Sequence, residues 1–266
     1  MSSTLHVVSR PKDTHTPKDP LVVICGLNLI FKANSTALTA LQDVSFAVQP
    51  AEMLCILGPS GCGKTTLLKV LAGFLKPTSG QVQVRGNLVT APGPERCVVF
   101  QEDALFPWLT VAENIAFGLK GKGIGRRQRK EMVDHYLSLV GLTAFASYLP
   151  TEISGGMKQR VALARVLILE PEILLMDEPF AALDAQTRQE MQQLLLHLWE
   201  TLSHTIVFVT HDVREAVTLA DRVIMMDKNP GRVKKIVDID LERPRDLDGQ
   251  SFHRQCTRLH DLLRGT

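Results

Sequence analysis

Residues 58–65 read Gly58-Pro59-Ser60-Gly61-Cys62-Gly63-Lys64-Thr65, and few folds can use such a run. The strand-like MLCIL precedes it and the helical pattern KTTLLKVLAGFL follows, so the glycine-rich stretch joins a strand to a helix. In that setting the glycines let backbone N–H groups converge on phosphate oxygens, and the helix turns its positive end toward the same anion. Lys64 then reaches the β- and γ-phosphates, the Thr65 hydroxyl can hold Mg2+, and Thr66 offers a further phosphate contact. A turn that merely reversed the chain would need neither the lysine nor the hydroxyl.

Composition leaves room for such a site and closes off other classes. The chain has 266 residues, 45% of them hydrophobic, enough to bury a large core, which excludes disordered and fibrous proteins. A formal charge of +2 gives no global pull toward nucleic acid, and no nucleic-acid partner is expected. The cysteines Cys25, Cys55, Cys62, Cys97 and Cys256 are odd in number and form no CxxC pair. That argues against a disulfide framework or a zinc site and for a reducing compartment. No stretch approaches the roughly 18 consecutive apolar residues of a membrane span, and MSSTLHVVSRPKDTH has no signal-peptide apolar core. Any membrane role is expected to run through a partner.

Residues 1–20 carry Pro11, Pro17 and Pro20 among polar groups and read as a mobile tail, with ordered structure starting near Leu21. Beyond it LVVICGL, SFAV, MLCILG, CVVFQ, EILLMDE, TIVFVTH and RVIMMD read as strands, and runs apolar on both faces suit a buried parallel sheet. Helices alternate with them: KTTLLKVLAGFL, closed by Pro77 and Gly80, and AQTRQEMQQLLLHLWETL, which Asp184 can cap. Strand–helix alternation indicates α/β layers. Between about Thr110 and Pro150 the strand signal lapses, and VAENIAFGL and RKEMVDHYLSLVGL read as an inserted helical subdomain.

The strand EILLMDE ends in adjacent carboxylates. Beside a phosphate loop, Asp177 can organise Mg2+ while Glu178 orients or deprotonates an attacking water. Neighbours on a strand point to opposite faces, so two roles for two acids are natural. Without the loop, the same pair would more simply cap a helix or face solvent.

In chain order the motifs run GPSGCGKTT, Gln101 in VVFQED, Ile153-Ser154-Gly155-Gly156-Met157, ILLMDEP, Ala182-Leu183-Asp184 and His211 in VTHD. This order resembles the nucleotide-binding subunit of an ATP-binding cassette (ABC) transporter. The resemblance implies an α/β, P-loop NTPase core of ABC type with an antiparallel β subdomain and an inserted α-helical subdomain. It covers residues 21–240, with the helical part at about 110–165 and a C-terminal extension at 241–266. By the same resemblance ISGGM contacts ATP bound on a second copy of the chain. Ser154 supplies a hydroxyl and Gly155 and Gly156 leave N–H groups open at a helix start, a second anion site. Alone, SGG would be an ordinary helix cap. Met157 departs from the glutamine common in the family.

The resemblance further gives Gln101 to a hinge that meets Mg2+ and water, His211 to the γ-phosphate, and Asp184 to a link between the two nucleotide sites, where it also suits a plain cap. Phe31, ahead of the phosphate loop, stands where related subunits stack an aromatic on adenine; a core Phe is the competing reading. Cys62, near a positive helix end, is expected to favour thiolate and to react with alkylating agents, unless it only fills a gap. KGKGIGRRQRK, residues 120–130, is read as a solvated helix entry, since no aromatic interleaves its six basic residues as a nucleic-acid platform requires. Phe106 and Trp108 fall where related subunits receive a short permease helix, or they pack inside the helical subdomain.

PGPERCVVFQ, ISGGMKQRVALARVL and the late PGRV and ERPRDL look most like the nitrate, sulfonate, taurine and bicarbonate importers, and ERCVVFQ with TRQEMQQLLLHLW most like taurine ATP-binding subunits. The implied function is an ATP-hydrolysing subunit that powers import of a small anion, taurine or another sulfonate. Its implied substrate and cofactor are ATP and Mg2+. The implied partners are a second copy, two membrane permease subunits and a separate substrate-binding protein, at the cytoplasmic face of the inner membrane. A nitrate or bicarbonate importer, or a soluble ABC-type ATPase of iron–sulfur assembly, is the alternative.

Overall fold

The computed structural model describes residues 19–33, 36–100 and 105–264. In chain order the elements are β1 (Val22–Ala33), β2 (Thr36–Val48), β3 (Met53–Leu57), α1 (Lys64–Leu71), β4 (Ser79–Val84), β5 (Asn87–Leu88) and β6 (Arg96–Val99). Then come α2 (Val111–Ala116), α3 (Arg126–Leu139), α4 (Gly155–Leu167), β7 (Ile173–Asp177), α5 (Ala185–Leu202), β8 (Thr205–Thr210) and α6 (Val213–Leu219). β9 (Arg222–Asp227), β10 (Arg232–Asp238) and α7 (Gln250–Arg264) complete the order.

The strands form two sheets, β2-β1-β4-β5 and β10-β9-β3-β8-β7-β6. In the second, β3, β6, β7, β8 and β9 run parallel, and only β10 is antiparallel to its neighbour. Every residue of β3 and β8 is buried, as a parallel sheet covered on both faces requires. Period-two alternation divides β3 between two cores: Met53, Cys55 and Leu57 face α4, α5 and α6, while Leu54 and Ile56 face α1 and the antiparallel sheet.

LVVICGL and SFAV are strands, but they lie outside the parallel sheet. On β1, Val22, Ile24, Leu27 and Leu29 are buried while Cys25 and Ile30 are exposed, the alternation of an antiparallel sheet with one wet face. α1 stops at Leu71, short of Pro77 and Gly80. Gly73 takes φ +81° there, and a Cβ on it would run into the Ala91 carbonyl. The loop packed on the helix end thus sets its length. β4, β5 and β10 carried too few apolar residues to announce themselves; β10 is an edge strand whose exposed Lys234 and Lys235 discourage further pairing.

Between β6 and β7 the described chain is helical, from α2 through α3 to α4. Thr110 and Glu113 form a capping box on α2. The basic stretch enters α3 as a solvated face: Arg127 pairs with Glu131 at 3.0 Å, Lys130 with Asp134 at 2.7 Å, and Lys122 donates to the Leu169 carbonyl.

After β10 two arginines fasten the chain to the end of α6. Arg245 donates to the Val217 and Ala220 carbonyls at 2.6 and 2.8 Å. Arg243 donates to Leu219 O, pairs with Asp221, and lies 4.6 Å from the Trp199 ring centroid. The late ERPR stretch therefore satisfies the last carbonyls of a helix, groups without partners of their own. Burial lowers the Arg245 guanidinium to about 9. α7 then lays Phe252, Cys256 and Leu259 into the core. No helix of the described residues is long and apolar enough to cross a membrane.

Candidate active site

Strand register brings the site together. Leu57 lies opposite Thr210 and Asp177 opposite Val209, so β3, β8 and β7 end side by side. The phosphate loop, His211 and Glu178 therefore leave the same sheet edge, the carboxyl ends of adjacent parallel strands where α/β folds bind ligands.

Gly63 caps α1 at φ +93°, a conformation costly for any residue with a Cβ, and a Cβ there would press on Leu41 and the Ala40 carbonyl of β2. The loop is thus braced by the antiparallel sheet. Gly231 braces it from below: a Cβ would collide with the Cys62 carbonyl and with Ala40 O. Gly231 itself bonds into β2, donating to Ala40 O and accepting from Gln42 N. In the sequence the PGRV stretch spoke only through its resemblance to importers; in the structure its Gly231 packs under the phosphate cradle.

Lys64 is buried, and its ammonium donates to Gly58 O at 2.8 Å and Pro59 O at 3.2 Å while lying 3.9 Å from Glu178 Oε1. The Thr65 hydroxyl donates to Asp177 Oδ1 at 2.9 Å. A hydroxyl and a carboxylate converging beside a phosphate loop are the hard oxygen donors that Mg2+ takes, so these residues fit that ion. Burial raises the Asp177 carboxyl, and the Thr65 hydrogen bond partly offsets it. Glu178 stands at φ +44°, a left-handed backbone rare for a side-chain-bearing residue, with its N–H bonded to Val209 O. Its Oε2 lies 3.0 Å from His211 Nδ1. Since a carboxylate can only accept, Nδ1 carries the hydrogen and Nε2 remains for a second partner.

Five predicted residues thus meet: Lys64, Thr65, Asp177, Glu178 and His211. Ser154 caps α4, accepting from Met157 N at 3.3 Å, and Asp184 caps α5, accepting from Thr187 N at 3.0 Å. The two helix starts touch, for a Cβ on Gly156 would meet the Thr187 methyl at 2.7 Å, whereas Gly155 faces open space. The Thr187 bonds hold the Asp184 carboxyl below its usual range. Phe31, paired with Leu38 in the β1–β2 hairpin, is 41% exposed, so it is no core residue. Gln101 lies outside the described residues.

Cys62 is corrected. The expected thiolate is not favoured: the side chain is buried against Gly58, and burial pushes the thiol up, outweighing the pull of Lys64. Trp108 is 71% exposed, and Phe106 packs against Trp108 and Phe117 with centroids 5.7 and 4.3 Å away. Thr210 and Glu215, which sequence reasoning passed over, lie buried behind His211.

The family model for ABC transporters matches residues 41–181, more than half the chain. The chain belongs to the ABC transporter family. It is an ABC ATPase: the domain binds and hydrolyses ATP. It is 50% identical over 211 residues to the taurine import ATP-binding protein TauB of Pelagibacter ubique, covering 79% of this chain and 80% of that protein. It is 42% identical over 251 residues to the nitrate import ATP-binding protein NrtD of a Synechocystis species, covering 91% and 94%. Among solved structures the ATP-binding cassette MJ0796, a dimer in a post-hydrolysis state bound to ADP and Pi, superposes with a TM-score of 0.70 at 30% identity, covering 82% of this chain and 98% of that one. The mixed parallel and antiparallel architecture is the ABC cassette fold.

Proposed function

We propose that this ABC ATPase powers import of a small anion, taurine or another sulfonate, through a membrane permease fed by a separate substrate-binding protein. The observation that favours the reading is the 50% identity over 211 residues to the taurine import protein, against 46% over 212 residues to the nitrate import protein NrtD of Synechococcus elongatus and 42% over 251 residues to that of Synechocystis. The Synechocystis protein aligns over more of this chain, which keeps nitrate as the second reading.

Two copies act head to tail, and the cassette MJ0796 is likewise a dimer. Each phosphate loop holds one ATP, and Ser154, Gly155, Gly156 and Met157 of the other copy close on it. Phe31 offers its exposed ring to the adenine, and Gly58 to Thr66 cradle the phosphates. Thr65 and Asp177, with Gln101, would hold Mg2+, which would supply charge neutralisation at the phosphate oxygens. Glu178 takes a proton from the attacking water, His211 donates from Nδ1 to Glu178 and, when doubly protonated, from Nε2 to the γ-phosphate, and Lys64 offsets the charge that develops. ATP gains its contacts to Ser154 only in the closed pair, so binding drives closure and hydrolysis releases it. The aromatic patch of Phe106 and Trp108 passes closure to the permease, which seats the chain at the cytoplasmic face of the membrane.

Deleting the gene and growing the strain on taurine, an alkanesulfonate or sulfate as sole sulfur source, with nitrate as sole nitrogen source in parallel, tests the reading. Loss on taurine or sulfonate alone, restored by the parent gene and not by Glu178→Gln, is expected. Loss on nitrate alone would move the protein to the second reading.

A further inference from the structure

His211 sits at the apex of a short turn between β8 and α6. Its two neighbours are tied together. The Thr210 hydroxyl accepts from Asp212 N at 3.0 Å and donates to Glu215 Oε2 at 2.5 Å. Asp212 caps α6, its Oδ1 accepting from Arg214 N at 2.7 Å and Glu215 N at 3.2 Å. The hydroxyl has one proton to give, and giving it to Glu215 fixes which lone pair meets Asp212. Thr210 and Glu215 are buried, 3% and 6% exposed, and Glu215 Oε1 has no hydrogen-bond partner among the described residues.

A buried carboxylate with an orphaned oxygen is a poor way to stabilise a fold. Burial lifts its carboxyl to about 7 against the relief given by Thr210, with Asp212 and Glu178 raising it further and Arg188 of α5 lowering it. On β3 the Cys55 thiol is pushed up first by its own burial and further by the Glu215 charge. Such a group needs another reason to be there. We propose that Glu215 is a positioning residue for His211: by holding the Thr210 hydroxyl it fixes the turn that aims the imidazole at Glu178. The inference rests on the hydrolytic roles given above to His211 and Glu178. A charge-assisted bond is shorter and stronger than a neutral one, and it adds to the hold that Asp212 gives the turn.

The test uses the full chain labelled with 15N-histidine, with the His211 signals assigned by loss in His211→Ala. In Thr210→Val the Nδ1 signal is expected to move away from that of the Glu178-bonded ring, with kcat down about ten-fold and KM for ATP within about two-fold. Thr210→Ser, which restores the hydroxyl, should return signal and kcat to the parent's values. Glu215→Gln separates positioning from packing: kcat should fall several-fold while the melting temperature near pH 8 rises, because a neutral amide removes the buried charge. A merely structural carboxylate would lose melting temperature and kcat together. An unmoved His211 signal with unchanged kcat in Thr210→Val overturns the proposal. So does a Glu215→Gln chain with the parent's kcat, should the valine variant fail to fold. A moved signal with unchanged kcat sustains the positioning and removes instead the hydrolytic role of His211.

Discussion

Glu178 is held from two sides, its amide by Val209 and its carboxylate by His211, on a backbone of positive φ. Such restraint places one oxygen and leaves the charge to do the chemistry. Glu178→Gln keeps the shape and loses the base, so ATP binding should persist while phosphate release drops by about 100-fold or more and the closed dimer accumulates, seen as a doubled mass on gel filtration with ATP. Fast turnover without an ATP-dependent dimer would refute this. Cys62 behaves the opposite way from a reactive group. A brief pulse of N-ethylmaleimide on the folded chain should modify the exposed Cys25 and spare Cys62 and Cys55, with mass mapping of the peptides as the check. Glu215 contributes to the pH dependence of stability. Its folded value, about 7, lies above its ordinary 4.5, so its contribution is fully present below about pH 4.5 and is lost as pH rises through about 7. Lys64, Thr65, Asp177 and Glu178 were legible because each carries its chemistry within a short motif. Thr210 and Glu215 were not, because their meaning lies in burial and in a bond across a turn, and neither leaves a mark on the order of residues.

At the scale of elements, pattern spoke clearly where both faces of a strand are buried and poorly elsewhere. β3, β7 and β8 are continuous apolar runs and can hardly be anything but central strands. β1 reads much the same in one dimension, yet bulges at Cys25 to Leu29 and an antiparallel partner place it in the other sheet. Connections between elements were hardest to read, and they carry two predictions. Gly231→Ala must push the Cys62 carbonyl or β2 aside, so the phosphate loop shifts. Weaker ATP binding with a stability loss of about 1–3 kcal/mol is expected, measured by calorimetry and urea unfolding. Arg245→Ala strips the Val217 and Ala220 carbonyls of their donors and loosens the strap that leads to α7. A loss of about 2 kcal/mol or more should follow, with cleavage of α7 in limited proteolysis ahead of the core.

Across the whole molecule, the two helix starts that carry Ser154 and Asp184 adjoin one another, while the phosphate loop, Glu178 and His211 gather at the sheet edge. A chain with a phosphate site and a separate anion-binding helix start suits a pair that shares two nucleotides, and its force must leave through another surface. The aromatic patch is the surface proposed for that role: Trp108 and Phe117 are exposed, Arg165 lies over Phe106 at 5.6 Å and Lys120 over Phe117 at 5.5 Å. Exposed aromatics that back onto a packed ring are the anchors an apolar partner helix would use. Trp108→Glu disturbs little inside the chain, since the ring is already in water, but it sets a charge where a partner's apolar side chain would enter. ATP turnover by the isolated chain should therefore stay within about two-fold, while uptake by the assembled transporter falls by about ten-fold or more. Radiolabelled taurine uptake in the complemented deletion strain, with ATP turnover measured on the same variant, reads both quantities. Equal loss in the two would return Trp108 to the interior packing of the helical segment.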